Sequence, residues 1–99
     1  EVAGQRTPLA SDLAALLEPR GKAIAERAQH QALEESAAGV TVNWRTPDGG
    51  ARGTVVPGPI YAVNAQTCRD FTHEIELAGQ RYGRRATACR DAGGGWALI

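Results

Sequence analysis

Residues Cys68 to Arg90 read CRDFTHEIELAGQRYGRRATACR, two alternating runs on either side of Ala78-Gly79. A two-residue connection carrying glycine is a hairpin turn. With that turn Leu77 faces Gln80, and counting outward sets Cys68 opposite Cys89 without adjustment. The same register gathers Phe71, Ile75 and Leu77 with Tyr82, Ala86 and Ala88 on one face. Asp70, Thr72, Glu74 and Glu76 share the other with Thr87, Arg85, Gly83 and Arg81. Apolar separation and cysteine pairing thus point to one hairpin.

The pair beside such a turn is hydrogen bonded, so alternation makes Cys68 and Cys89 a non-hydrogen-bonded pair with Cα atoms about 4.5 Å apart. That distance admits a disulfide. Composition alone leaves buried thiols, metal ligands or a disulfide open; the register favours a structural Cys68–Cys89 bridge, held off the apolar face. In the chain-entropy model, closing a loop of about 20 residues contributes about 3 kcal/mol, which matters in a domain this small. A bridge also points to an oxidising compartment.

Downstream, Asp91-Ala92-Gly93-Gly94-Gly95 is a turn, and Trp96 to Ile99 is a final strand with Trp96 and Leu98 on one face. Upstream, Val40, Val42 and Trp44 alternate with Thr41, Asn43 and Arg45, a two-faced strand. Thr46-Pro47-Asp48-Gly49-Gly50 turns the chain, and residues 53 to 56 return. Pro57-Gly58-Pro59 interrupts that ladder, leaving Ile60 to Val63 as a short continuation at an edge, bulge or bend.

The first third is helical. Thr7-Pro8 supplies an N-cap and first helical residue for a segment carrying Leu9, Leu13, Leu16 and Leu17. Pro19 interrupts it and can open a second helix, while Gly21 favours a bend at the junction. Over residues 22–37 Ile24, Ala28 and Ala32 form one shallow stripe and Leu33 with Ala37 another, with Gly39 as the stop. A hairpin with one apolar face and a helix with a shallow one need each other. The expected fold is α+β, a four- or five-stranded antiparallel sheet covered by an N-terminal helix. Residues 1–21 are expected to be an extension with a short helix, and residues 22–99 the domain.

Ninety-nine residues at 42% hydrophobic composition support one modest core. Eleven basic and eleven acidic side chains cancel, which argues against a nucleic-acid partner. Arg81, Arg84, Arg85 and Arg90 crowd the C-terminal part; a solvated strand face accounts for them, and orienting a partner is the sharper reading. The sequence holds no apolar run of spanning length and no signal-peptide pattern. It opens on Glu1, which raises the expectation of a processed or trimmed product and leaves membrane attachment through a missing N-terminal anchor open.

Val42 to Gly50, then Gly53-Thr54-Val55-Val56-Pro57, Tyr61, Cys68-Arg69-Asp70-Phe71, Thr87-Ala88-Cys89-Arg90 and Gly95-Trp96, taken in order, resemble the 17 kDa outer-membrane surface-antigen domain of bacterial envelope proteins over roughly residues 22 to 98. The resemblance implies export in a Gram-negative bacterium and outer-membrane association, often through a lipoprotein signal. Neither that signal, a lipidated cysteine nor the glycine-rich hydrophobic segment of many relatives stands in this sequence. The resemblance brings no catalytic set. It implies a disulfide for the matched cysteines and fold positions for the matched tryptophans and glycines.

Chemistry fares poorly beside plainer explanations. The histidines are His30, read as an exposed helix residue, and His73, read as a hydrogen-bonded or partly exposed sheet residue opposite Arg84. Zinc binding by Cys68, Cys89, His73 and His30 requires breaking the hairpin register. Glu74 and Glu76 read as part of a charge ladder, and the glycine tracts as turns lacking a phosphate-loop context. Trp44, Tyr61 and Trp96 are needed for packing before a ligand groove. No catalytic residue, cofactor or metal is expected.

The resulting expectation is a noncatalytic envelope structural or protein-interaction module, not an enzyme, with an interaction surface at Tyr61, Trp96, Arg81 and Arg85. Its partners would be an unidentified envelope protein, peptidoglycan or a second copy of itself. The alternative is an inhibitor or regulator of an envelope hydrolase, presenting a loop from residues 46–52 or 56–60.

Overall fold

The computed structural model describes residues 7–99; the first six residues of the expected 1–21 extension lie outside the described residues. Two helices, α1 (Ser11–Ala14) and α2 (Pro19–Glu35), precede five strands: β1 (Val42–Arg45), β2 (Ala51–Val63), β3 (Gln66–Leu77), β4 (Gln80–Arg90) and β5 (Trp96–Leu98). The strands form one antiparallel sheet in sequence order. Both helices supply side chains to a core on one sheet face.

Turn counting from Ala78-Gly79 reproduces the β3–β4 ladder, from Leu77 against Gln80 out to Cys68 against Cys89. Both turn residues have positive φ, 53° and 80°, the conformation that matches a tight hairpin to strand twist. Asn64-Ala65 closes β2 onto β3 in the same way, with φ of 50° and 66°. The prolines do not end β2. Its pairing with β3 shifts between Pro57 and Ile60, a bulge that absorbs them while the strand runs on to Val63.

The helices differ from the sequence expectation. α1 begins at Ser11, after an extended Ala10, so Pro8 is not its first residue. Thr7 is buried, and its hydroxyl accepts from the Gln29 amide. Pro19 occupies the first turn of α2, and Gly21 is buried within that helix instead of marking a bend before it. A Cβ at Gly21 would lie 3.4 Å from the Thr46 methyl, so the missing side chain admits the β1–β2 turn. The buried residues of α2 are Gly21, Ala25, Glu26, Ala28, Gln29, Ala32 and Leu33; Ile24 is half-buried, and Ala37 is exposed beyond the helix end. α2 stops at Glu35, before Gly39, whose N–H instead bonds the Pro57 carbonyl at 2.8 Å.

Leu9 and Leu13 join Ala25, Ala28, Ala32 and Leu33 over Val42, Trp44, Val55, Phe71, Ile75, Ala88 and Trp96. Small helix residues bring the α2 backbone close to the sheet and leave large sheet residues to fill the space. Trp44 lies over Gly53, its cross-strand partner. A Cβ at Gly53 would stand 2.6 Å from the indole ring and collide with the Glu74 carbonyl, so the tryptophan requires glycine there.

Candidate functional site

Each strand bearing a cysteine points that residue away from the helices and the following arginine toward them. Cys68 and Cys89 are disulfide-bonded, with Cα atoms 4.0 Å apart, on the helix-free face. Arg69 is 3% exposed. Its guanidinium donates to the Gly58 carbonyl at 2.7 Å and to the Ala32, Leu33 and Ser36 carbonyls at the end of α2. Those last carbonyls have no partners within the helix, and the helix end is electronegative. Arg69 is therefore the C-terminal cap of α2, supplied from β3; its burial lowers its pKa.

Arg90 holds the same helix from β4. It donates to Glu34 at 2.7 Å and to the Gly94 carbonyl at 2.6 Å, and lies 4.6 Å above the Trp96 ring. The Trp96 indole donates to the other Glu34 oxygen at 3.0 Å. The Arg90 hydrogen bond is the main reason the Glu34 carboxyl titrates below its ordinary range. Trp96 is only 5% exposed, which removes it from the expected interaction surface: its ring is held between Arg90 and Glu34.

His73 is fully buried. Trp44 donates to its Nε2 at 2.9 Å, so the other nitrogen, Nδ1, carries the proton and donates to Gln29 Oε1 at 3.1 Å. The Gln29 amide continues to the Thr7 hydroxyl and the Pro8 carbonyl, both at 2.8 Å. This polar chain fastens the N-terminal segment, α2, β1 and β3 together. Burial lowers the His73 pKa to about 4, so the imidazole is neutral. His30 is half-buried, not exposed, and its Nδ1 is buried without a hydrogen-bond partner.

The helix-free face carries two polar groups. Tyr61 and Thr87 both donate to Asp70 Oδ1 at 2.7 Å, with Arg85 3.7 Å from the other oxygen. These bonds, Tyr61's first, hold the Asp70 carboxyl low, and the bond to Asp70 pushes the Tyr61 phenol up. Toward the other end Arg45, Arg52, Glu76 and Arg81 form one row across four strands. Arg52 reaches Glu76 at 3.0 Å. With Asn43, Thr54 and Glu74 this row lines a shallow concavity of about 590 Å³. Tyr61, Arg81 and Arg85 are exposed; Arg85 joins the Tyr61 group, and Arg81 belongs to the row.

Among the described residues no group of His, Cys, Asp or Glu is placed to hold a metal ion, and no described helix is long and apolar enough to cross a membrane. The roles of Arg69, Arg90 and Glu34 are absent from the sequence reading. The signal for Arg69 is a charge at an alternation position assigned to the apolar face.

A family model described as 17 kDa outer membrane surface antigen matches residues 31–97. The chain is 34% identical over 90 residues to a 17 kDa surface antigen of Rickettsia bellii, covering 90% of this chain and 57% of that protein. It is 31% identical over 84 residues to the Rickettsia felis protein of the same description, covering 84% of the chain and 53% of the relative. A Rickettsia prowazekii relative, again a 17 kDa surface antigen, is 32% identical over 77 residues, covering 77% and 48%. The chain thus spans about half the length of the curated relatives it matches. No solved structure matches it significantly.

Proposed function

The chain belongs to the 17 kDa outer membrane surface antigen family, and from that premise we propose that it is a noncatalytic module that binds an envelope partner through the open side of its sheet. Its place is extracytoplasmic and associated with the outer membrane. The observation that carries the binding role is the asymmetry of the sheet: helices cover one face, while the other exposes Tyr61, Arg85 and the row from Arg45 to Arg81. The groups with most chemical potential are committed to architecture. Both cysteines are bonded to each other, and His73 is a buried neutral link between Trp44 and Gln29.

Candidate partners are an envelope protein, peptidoglycan and a second copy of the chain. Photo-crosslinking residues placed singly at Tyr61, Arg81 and Arg85, activated in intact envelopes and read by mass spectrometry, test the proposal. Adducts from these positions, absent from a probe at Asp12 in α1, are the expected result. Failure of every sheet probe to capture anything overturns it.

A further inference from the structure

The sheet has one open edge without the features that usually keep edges apart. β1 pairs with β2 only over Arg52 to Val55 and Gly39 bonds the outward Pro57 carbonyl, so among the described residues Ile60 to Val63 of β2 has no paired strand on its outer side. Native edges are blunted by shortness, charge or proline. β1 and β5 are short, and the open part of β4 carries Arg81, Arg84 and Arg85. Pro57 and Pro59 guard one stretch of β2, but Ile60 to Val63 has no such protection. No charged residue occurs between Arg52 and Arg69. Ile60, Tyr61 and Val63 are 58%, 40% and 47% exposed.

The hydrogen-bonding phase of this edge follows from its turn. Val63 and Gln66 flank Asn64-Ala65 and exchange both of their bonds, as the pair beside a two-residue turn does. Alternation makes Tyr61 and Cys68 a bonded pair too. Ile60 and Ala62 therefore point their N–H and C=O groups outward. An antiparallel copy of the same edge, centred on Tyr61, sets Ile60 against Ala62 of that copy twice, each pair able to exchange both bonds. Tyr61 faces Tyr61, and Pro59, with no N–H, falls opposite Val63, whose backbone is already bonded to Gln66.

We propose that the partner of this edge is a second copy of the chain, joined by two-fold antiparallel pairing of Ile60 to Ala62 into one continuous sheet. This deepens, and rests on, the binding role proposed above. Two-fold pairing of one edge is isologous and closes at a dimer. The absence of charge lets identical edges meet without repulsion, whereas arginines would face arginines across paired β4 edges. So short an edge gives a weak dimer in solution, strengthened where chains are concentrated on a membrane.

The test is sedimentation of the disulfide-intact chain with amide exchange measured across a concentration series. The expected result is a concentration-dependent dimer in which the Ile60 and Ala62 amides become protected, while the outward amides of Gly83 and Arg85 do not. Ala62→Pro removes an outward N–H without an internal sheet bond, and Tyr61→Lys sets like charges face to face; each weakens dimerisation at least about tenfold, a change of about 1.4 kcal/mol. A chain monomeric at every concentration up to millimolar, or a dimer unchanged in both variants, overturns the pairing. Monomers whose sheet probes still capture another envelope component sink this proposal and leave the binding role standing.

Discussion

Acidification of the medium is expected to destabilise the fold through His73 alone, before the carboxylates respond. The imidazole is fully buried and titrates at about 4 in the fold, against 6.5 for the free side chain. Protonation would also set an Nε2–H against the Trp44 indole N–H, leaving two donors face to face. Between these pKa values the unfolded chain binds a proton that the fold refuses, so stability is complete above the unfolded value and falls as pH drops toward the folded one. At about 1.4 kcal/mol per unit, the loss is about 2 kcal/mol at about pH 5 and about 3 kcal/mol once the folded pKa is passed. For a urea slope of about 2 kcal/mol/M the denaturation midpoint falls about 1 M between about pH 7.5 and pH 5. Glu34, Asp48 and Asp70 have lowered pKa values, so their contributions are lost only at more acid pH. The assay is urea denaturation at several pH values, with the His73 ring followed by NMR. In His73→Gln this slope disappears, whatever the variant's absolute stability. An unchanged midpoint over that interval, or a His73 titration near 6.5, refutes the reasoning.

Arg69→Met is expected to cost about 3 kcal/mol or more, because several buried carbonyls lose their donor together, and Arg69→Lys to recover little, since an ammonium cannot fork to both Gly58 and the helix end; a denaturation series decides both. Gly53→Ala is expected to destabilise by about 1–3 kcal/mol through forced displacement of Trp44, visible as a changed near-ultraviolet tryptophan signal; an unaltered signal and midpoint count against that packing argument. Replacing both Cys68 and Cys89 by alanine is expected to cost about 3 kcal/mol, and intact mass before and after reductive alkylation checks the bond itself, two thiols in the unreduced native chain being the contrary result.

What could be read from the chain was what local geometry fixes. Two-residue turns set strand register without reference to anything distant, which is why counting from Ala78-Gly79 gives the observed β3–β4 ladder. Strand alternation likewise separates Phe71 and Ile75 from Glu74 and Glu76. Helix boundaries were less legible because distant groups set them. Thr7 suits an N-cap locally, but its hydroxyl is engaged by Gln29, and the helix starts beyond it. Trp96 suits a surface aromatic until Glu34 and Arg90 are brought to it from α2 and β4.

Arg69 marks where a better sequence argument begins. α2 ends with Ser36 in extended geometry and no glycine in the left-handed conformation at the next position, so no local C-terminal motif satisfies its last carbonyls. Such a helix end, once buried, needs donors from elsewhere. Arg69 stands four alternation steps from Leu77 on a strand face otherwise assigned to the core. An arginine there is costly unless several acceptors converge on it, and an uncapped helix end supplies a row of them. The two anomalies explain each other, so a charge on an apolar strand face and a helix without a glycine stop can be read together as a tertiary cap.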